Sequence, residues 1–360
     1  MLIGIDGNEA NVKNRVGSNI YSYQLLQSLS KQKANVVVYL KEKPLEDLPK
    51  TNKHWQYRMI GPKKFWTQFG LPFDLYRHHP QPEVFFTPGH YSPRWSPCPT
   101  VMSLMDLSYL YFPEMFRKKD WYQLKNWTAR SVRKAEKIFT ISQSSQNAII
   151  KEYRVAPEKV VVTYPGLAMT KKSKKIDLKK YGVEGDFILY VGTLQPRKNL
   201  EKLIEALAQL EDQDLKLVIV GKKGWLYEEI FTKVKQMKLG KRVIFTGFVP
   251  NEDLAAFYEK AQCFVLVSLY EGFGLPVLEA MGYGCPVVAS NVSSLPEVVG
   301  EAGILVDPKK PEAIAQGVEK AIQNREALIK KGKEQAKKFS WEKCAQETLK
   351  VLEEVGHGAI

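Results

Sequence analysis

Short, wholly apolar runs that end in glycine or serine, each followed by a segment of helical period, fill the second half of this chain and narrow what it can fold into. FILYVG at 187–192 precedes NLEKLIEALAQL, where Leu200, Leu203, Ile204 and Leu207 share one helical face. Asn199 is placed to cap that helix. LKLVIVG at 215–221, RVIFTG, CFVLVS and PVVAS continue the series. These runs are apolar throughout rather than alternating, which is the pattern of parallel strands covered on both faces. Repeated strand–helix units of this length predict a doubly wound, Rossmann-like α/β domain.

The first half has the same grammar, less plainly. LIGI, NVVVYL, EVFFT, TVMSLM and KIFTIS are candidate strands, with helices expected over 18–30, 121–135 and 144–152. An irregular stretch rich in aromatic residues and proline occupies roughly 61–99. A long irregular stretch in a compact domain is usually functional. A lysine-rich segment near 168–185 marks the expected boundary. SWEKCAQETLKVLEEV at 340–355 is expected to form a last amphipathic helix capped by Ser340. No fixed-period repeat is present, which excludes a solenoid.

A chain of 360 residues with 44% apolar and 26% charged content suits two folded domains. No run approaches the roughly 18 to 20 uninterrupted apolar residues of a membrane span. The opening MLIGIDG predicts a buried strand rather than a signal peptide. Cys98, Cys263, Cys285 and Cys344 are widely spread and suit a reduced, cytoplasmic setting. A net charge of +14 admits a solvated surface, an anionic membrane face or a phosphorylated substrate. KKSKKIDLKK at 171–180 and the stretch 330–338 carry much of it. Without zinc-finger spacing, an aromatic RNA-recognition motif or an arginine-rich arm, the charge does not point to nucleic acid.

The strongest chemical signal is Glu271-Gly-Phe-Gly-Leu-Pro-Val-Leu-Glu279. Pro276 suits the first turn of a helix, and Gly272 and Gly274 let backbone approach a ligand. The amides of Gly274 and Leu275 then form an anion site fit for a diphosphate. Glu271 and Glu279 frame it and suit sugar hydroxyls. A second signal, GTLQPRKN at 192–199, places Arg197 and Lys198 where they can neutralise charge on a departing diphosphate. Arg15-Val-Gly-Ser18, after the first strand, is a third and weaker phosphate signal.

These residues resemble the glycosyltransferase family 4 pattern of the GT-B fold across nearly the whole chain, most tightly over 187–307. YEGFGLPVLEAMGYGCPVVASNVSSLPEVVGEAGILVDP is similar to that family's donor-binding segment, and LYVGTLQPRKNLEKLIEAL to its diphosphate-binding segment. FTISQSSQNAI and VVTYPGL resemble its two interdomain stretches. The resemblance implies two Rossmann-like doubly wound domains facing a cleft, 1–170 for the acceptor and 171–339 for the donor. It also implies a C-terminal helix, 340–360, crossing back to the first. Glu279 is then expected on the ribose, Glu271 on the donor hexose, and Arg197 and Lys198 on the diphosphate. Gly17 is expected to meet the distal phosphate through its backbone. Phe273, Gly274 and Leu275 are expected against sugar and phosphates through main-chain groups, and Phe248 and Val249 against the base.

The implied activity is retaining transfer of a hexose, mannose from GDP-mannose being favoured over UDP-linked sugars, without cofactor or metal. The implied acceptor is a glycan or lipid-linked glycan, which agrees with a cytoplasmic protein or one held at the inner membrane face. An epimerase or a non-catalytic nucleotide-sugar-binding protein of the same fold is the alternative. Two departures stand out. Thr193 follows the phosphate-loop glycine where many relatives carry arginine, and Met105-Asp106 stands where many carry His-Asp. Asp106 is nevertheless expected to orient an acceptor hydroxyl; His90 is the histidine that could stand in, though an ordinary loop residue is the simpler reading. Asp212-Gln-Asp214 matches a metal-binding DxD but falls between helix and strand, away from the strand carboxyl ends, and is expected to be a solvated turn. The five dispersed histidines give no catalytic-metal pattern.

Overall fold

The computed structural model describes residues 1–168 and 176–358. The chain divides into two units. One comprises Met1–Gly166 with Ser340–Ile360, the other Leu167–Phe339. Part of the lysine-rich 171–180 segment, and with it the boundary expected at 170/171, lies outside the described residues.

The first unit is built on β1 (Leu2–Asp6), β2 (Asn35–Leu40), β3 (Trp55–Met59), β4 (Val84–Thr87), β5 (Thr100–Ser103), β6 (Lys137–Thr140) and β7 (Val160–Val162). They form one sheet in the order β3-β2-β1-β4-β5-β6-β7, parallel throughout. Ile3 pairs with Val36 on one side of β1 and with Val84 on the other. Ile5, Val38, Phe86, Val101 and Phe139 are all fully buried, as a sheet covered on both faces requires. Each such side chain contributes about 1.5–3 kcal/mol of burial.

The second unit contains β8 (Phe187–Val191), β9 (Lys216–Val220), β10 (Val243–Gly247), β11 (Cys263–Leu266), β12 (Val287–Ser290) and β13 (Ile304–Val306). Their order, β10-β9-β8-β11-β12-β13, repeats that of β1–β6 in the first sheet, again in parallel. In both sheets the strand order reverses beside the first strand. Loops that leave the carboxyl ends on either side of such a reversal spread apart and leave room for a ligand.

The final helix, Trp341–Gly356, belongs to the first unit. Its Ser340 cap accepts from the Lys343 amide at 3.4 Å, and Trp341 meets Tyr21 edge-on at 5.7 Å between ring centroids. The strands β3, β7 and β13 have no counterpart among the sequence expectations. All three lie at sheet edges: β7 and β13 have three residues each, and β3 alternates polar with apolar residues. The irregular stretch at 61–99 holds more order than its composition suggests. A π-helix, Trp66–Gly70, leads into the α-helix Leu71–Arg77, and β4 follows. The helix expected from 121 begins at Lys118.

Candidate active site

In the second unit the loops after β8 and β11 meet where the strand order reverses. The backbone amide of Leu269 donates to the Arg197 carbonyl at 2.9 Å and ties one loop to the other. Lys198 sits in a short turn, Pro196–Lys198, and its Nζ lies 2.5 Å from Oε1 of Glu271. Arg197 Nη1 donates to the Tyr270 carbonyl and lies 3.4 Å from Glu271 Oε2. Ser268 Oγ donates to Oε1 at 2.6 Å. Glu271 itself is only 7% exposed. Burial alone pushes its carboxyl up, but Lys198 and Arg197 outweigh burial and hold it below the ordinary glutamate range.

Arg197 and Lys198, the two cations expected on the diphosphate, both turn onto Glu271, because a carboxylate this buried requires paired charge. Two cations share one anion, so the cluster keeps a net positive charge. Asn199 also differs from expectation. It adopts the left-handed conformation (φ 58°) and gives the following helix no side-chain cap. Its Nδ2 donates instead to the carbonyls of Val267 (2.9 Å) and Pro308 (2.7 Å), pinning the phosphate loop to β11.

Gly274 opens the helix Leu275–Gly282 with φ 105°, a conformation L side chains rarely adopt. A Cβ there would come within 2.6 Å of Leu295 Cδ2, which would have to shift, and the positive φ itself favours glycine. Ser294 Oγ donates to the carbonyls of Glu271 and Phe273, and the Glu271 amide donates to Ser293 Oγ. These serines hold the loop so that the helix N-terminus follows it directly. Among the described residues, none accepts from the amides of Gly274 or Leu275. Phe273 is buried against Phe339.

Glu279, one turn into that helix, takes a different partner. It is half-buried, and its Oε2 accepts from Tyr258 Oη at 2.9 Å. Burial pushes its carboxyl up to about 7, only partly opposed by the tyrosine. Tyr258 is in turn stacked on Tyr283 at 5.6 Å. After β10, Val249 is buried while Phe248 is exposed, with Lys222 Nζ 4.6 Å over its ring.

The corresponding place in the first unit has the opposite character. Gly17, at φ 52°, precedes the helix Ser18–Leu29, with open space around the position a Cβ would take. Glu9 Oε2 accepts from Asn19 Nδ2 at 2.7 Å and from Ser18 Oγ at 3.3 Å. Asp6 ends β1, accepts from the Asn8 amide and side chain, and is pushed up to about 6 by burial. Asp106, beyond β5, accepts from the Ser108 amide at 2.8 Å. His90 follows β4. Its Nδ1 is buried without a hydrogen-bond partner among the described residues, and burial lowers its pKa against the pull of Asp106 and Glu9. Met105 is buried. Arg15 is engaged by Asp47 and lies over the Tyr23 ring at 3.9 Å.

Glu9, Ser268, Tyr258 and the Ser293–Ser294 pair were not singled out from the sequence. Only the serines carry a signal, a small-residue run directly before the Leu295–Val299 helix. Asp212 Oδ1 accepts from the amides of Asp214 (2.9 Å) and Leu215 (3.2 Å), a turn at the amino end of β9. Among the described residues no group of three or more His, Cys, Asp or Glu is placed to hold a metal ion.

The model "Glycosyltransferase Family 4" matches residues 16–170, and "Glycosyl transferases group 1" matches 173–339. The O-antigen chain mannosyltransferase B of Escherichia coli is 34% identical over 261 residues, covering 69% of this chain and 68% of that protein. Among solved structures, a sucrose-phosphate synthase from Thermosynechococcus elongatus superposes with a TM-score of 0.78 at 20% identity, covering 99% of both chains. Anabaena HepE in complex with UDP and glucose superposes with a TM-score of 0.74 at 19% identity, covering 98% of this chain and 99% of that one. The fold is GT-B, and the chain belongs to the group 1 glycosyl transferases, with an N-terminal portion of Glycosyltransferase Family 4.

Proposed function

We propose that this chain moves mannose from GDP-mannose to a glycan or lipid-linked glycan, retaining the anomeric configuration and using no metal. The observation that carries this reading is the cluster of Lys198, Arg197, Ser268 and Glu271 beside the amides of Gly274 and Leu275. It combines a net positive charge with a helix N-terminus, as a diphosphate requires. The name of the E. coli relative supports mannose as the sugar.

In this reading Glu279 accepts from the ribose hydroxyls and Phe248 and Val249 lie against the base. Glu271 accepts from hydroxyls of the hexose. The anomeric carbon–oxygen bond breaks as the acceptor oxygen attacks on the same face. GDP leaves with the bond electrons, its charge met by Arg197 and Lys198. Those two side chains supply the cationic charge that a divalent ion provides elsewhere. The acceptor proton passes to the departing phosphate oxygen. Asp106 orients the acceptor, in keeping with Asp6 and Glu9 at the neighbouring strand ends, since carboxylates accept from hydroxyls.

Four thiols without disulfides support a reducing, cytoplasmic setting. No helix among the described residues is long and apolar enough to cross a membrane.

The test is a thermal-shift screen against GDP- and UDP-linked sugars, followed by chromatography of the product. Native-state binding raises the melting temperature by mass action. GDP-mannose is expected to give the largest shift, and mannose is expected on the acceptor. A larger shift with a UDP-sugar would replace the donor assignment. No shift with any nucleotide sugar would end it.

A further inference from the structure

The ordered part of the 61–99 stretch has one face that the transfer reaction does not use. Trp66, Leu71 and Leu75 turn inward onto Tyr39 and Phe85. Phe65, Phe69, Phe73 and Tyr76 fall on the other side at helical spacing, and all four are exposed, Phe73 by 66%. Trp95 joins them, its ring 6.2 Å from Phe69, which lies 6.4 Å from Phe65. Phe69, Phe73, Tyr76 and Trp95 line a cavity of 630 Å³. An exposed apolar patch of this kind marks an interaction site.

Cations surround the rings. Lys64 lies over Phe65 at 5.4 Å, Arg77 over Phe73 at 5.7 Å and Arg94 over Trp95 at 4.7 Å. The patch continues onto the helix Lys118–Lys134 through Lys134 Nζ donating to the Arg94 carbonyl and Tyr91 packing on Trp127. On that helix Lys118, Lys119, Lys125, Arg130, Arg133 and Lys134 are all exposed, with Asp120 the one acidic residue among them.

We propose that this face of the first unit docks on the surface of a bilayer containing anionic phospholipid. Aromatic rings with cations at their edges suit the headgroup boundary, where the ring enters and the charge stays in water. The basic helix then meets the negative leaflet. The inference deepens the lipid-linked acceptor reading by naming where the chain meets the membrane. Its test measures binding alone, so it stands or falls apart from the choice of donor.

Flotation of the full chain with vesicles of phosphatidylcholine alone, or with phosphatidylglycerol added, supplies that test. Binding is expected only with phosphatidylglycerol, and high salt is expected to release it. Phe69→Ser/Phe73→Ser should weaken it about tenfold or more, since two exposed rings leave the boundary region. Lys118→Glu, Lys119→Glu and Lys125→Glu should each weaken it at least about fivefold. Brominated phosphatidylglycerol should quench tryptophan fluorescence, and less so in Trp95→Phe. Because every altered side chain is exposed, melting temperatures should match the parent chain. The proposal is overturned by any of three results: no partition onto phosphatidylglycerol vesicles, partition undiminished in both the aromatic and the charge variants, or affinity for polyglutamate equal to that for vesicles.

Discussion

The two sheets share one strand order, yet their reversal points carry opposite charge. Around β8 and β11 two cations hold one buried glutamate beside a helix N-terminus. Around β1 and β4 stand Asp6, Glu9 and a buried histidine, with Asp106 nearby beyond β5. One topology thus carries a cationic cluster beside the reversal in one unit and acidic side chains beside it in the other. Fold supplies the crevice, and the residues in two loops choose what enters it.

Removing a cation tests that contrast most severely. Lys198→Ala is expected to lower turnover about 10²- to 10³-fold, since charge on the leaving diphosphate goes unmet. Steady-state kinetics would check it, and a loss smaller than tenfold would break the contrast.

The two glutamates of the second unit should differ in sign with pH. Glu279 is raised from 4.5 to about 7, so the folded chain keeps a proton that the unfolded chain releases between those values. Stability should therefore fall as pH rises from about 4.5 to about 7, by at most about 3 kcal/mol. Glu279→Gln should remove that decline and melt above the parent at higher pH. A decline that persists in the variant would show that another group is responsible. Glu271, held below its ordinary value, contributes stability that is present above the ordinary glutamate range and lost as pH falls through its lowered value.

Gly274→Ala and Gly17→Ala sharpen the comparison through the backbone. Each forces a side chain into positive φ, at about 1–3 kcal/mol. Only the first also drives a Cβ to 2.6 Å from Leu295, so denaturant midpoints should fall further for Gly274→Ala. Equal losses would show that Leu295 gives way freely.

The smallest effect belongs to the first unit. Asp106→Asn should raise the acceptor KM about tenfold, the loss of one hydrogen bond to a charged acceptor, while the donor KM stays unchanged. A rise in the donor KM instead would undo the division of labour between the units.

Much of the fold was legible because parallel strands buried on both faces need continuous apolar runs, which LKLVIVG and CFVLVS display openly. The edge strands β3, β7 and β13 were not, because β3 alternates polar with apolar residues and β7 and β13 are only three residues long. Glu271, Arg197 and Lys198 were visible as residue types in the loops after β8 and β11. Their mutual contact was not, since 73 or 74 positions of chain separate the partners. Asn199 carries the same lesson. Its type suggests a local cap, but carbonyls at Val267 and Pro308 offer its amide better partners.

Sequence alone determined where most of the central strands and their helices fall and which charged side chains reach the loops of the second unit, because these follow from periodicity and local backbone sterics. Tertiary structure alone decided that Glu271 neutralises part of the Arg197–Lys198 charge, that burial lifts Glu279 while Glu271 is lowered, and that the aromatic stretch divides into a buried and an exposed face. Burial and pairing depend on distant segments meeting in space, and no local rule of spacing records which of them will meet.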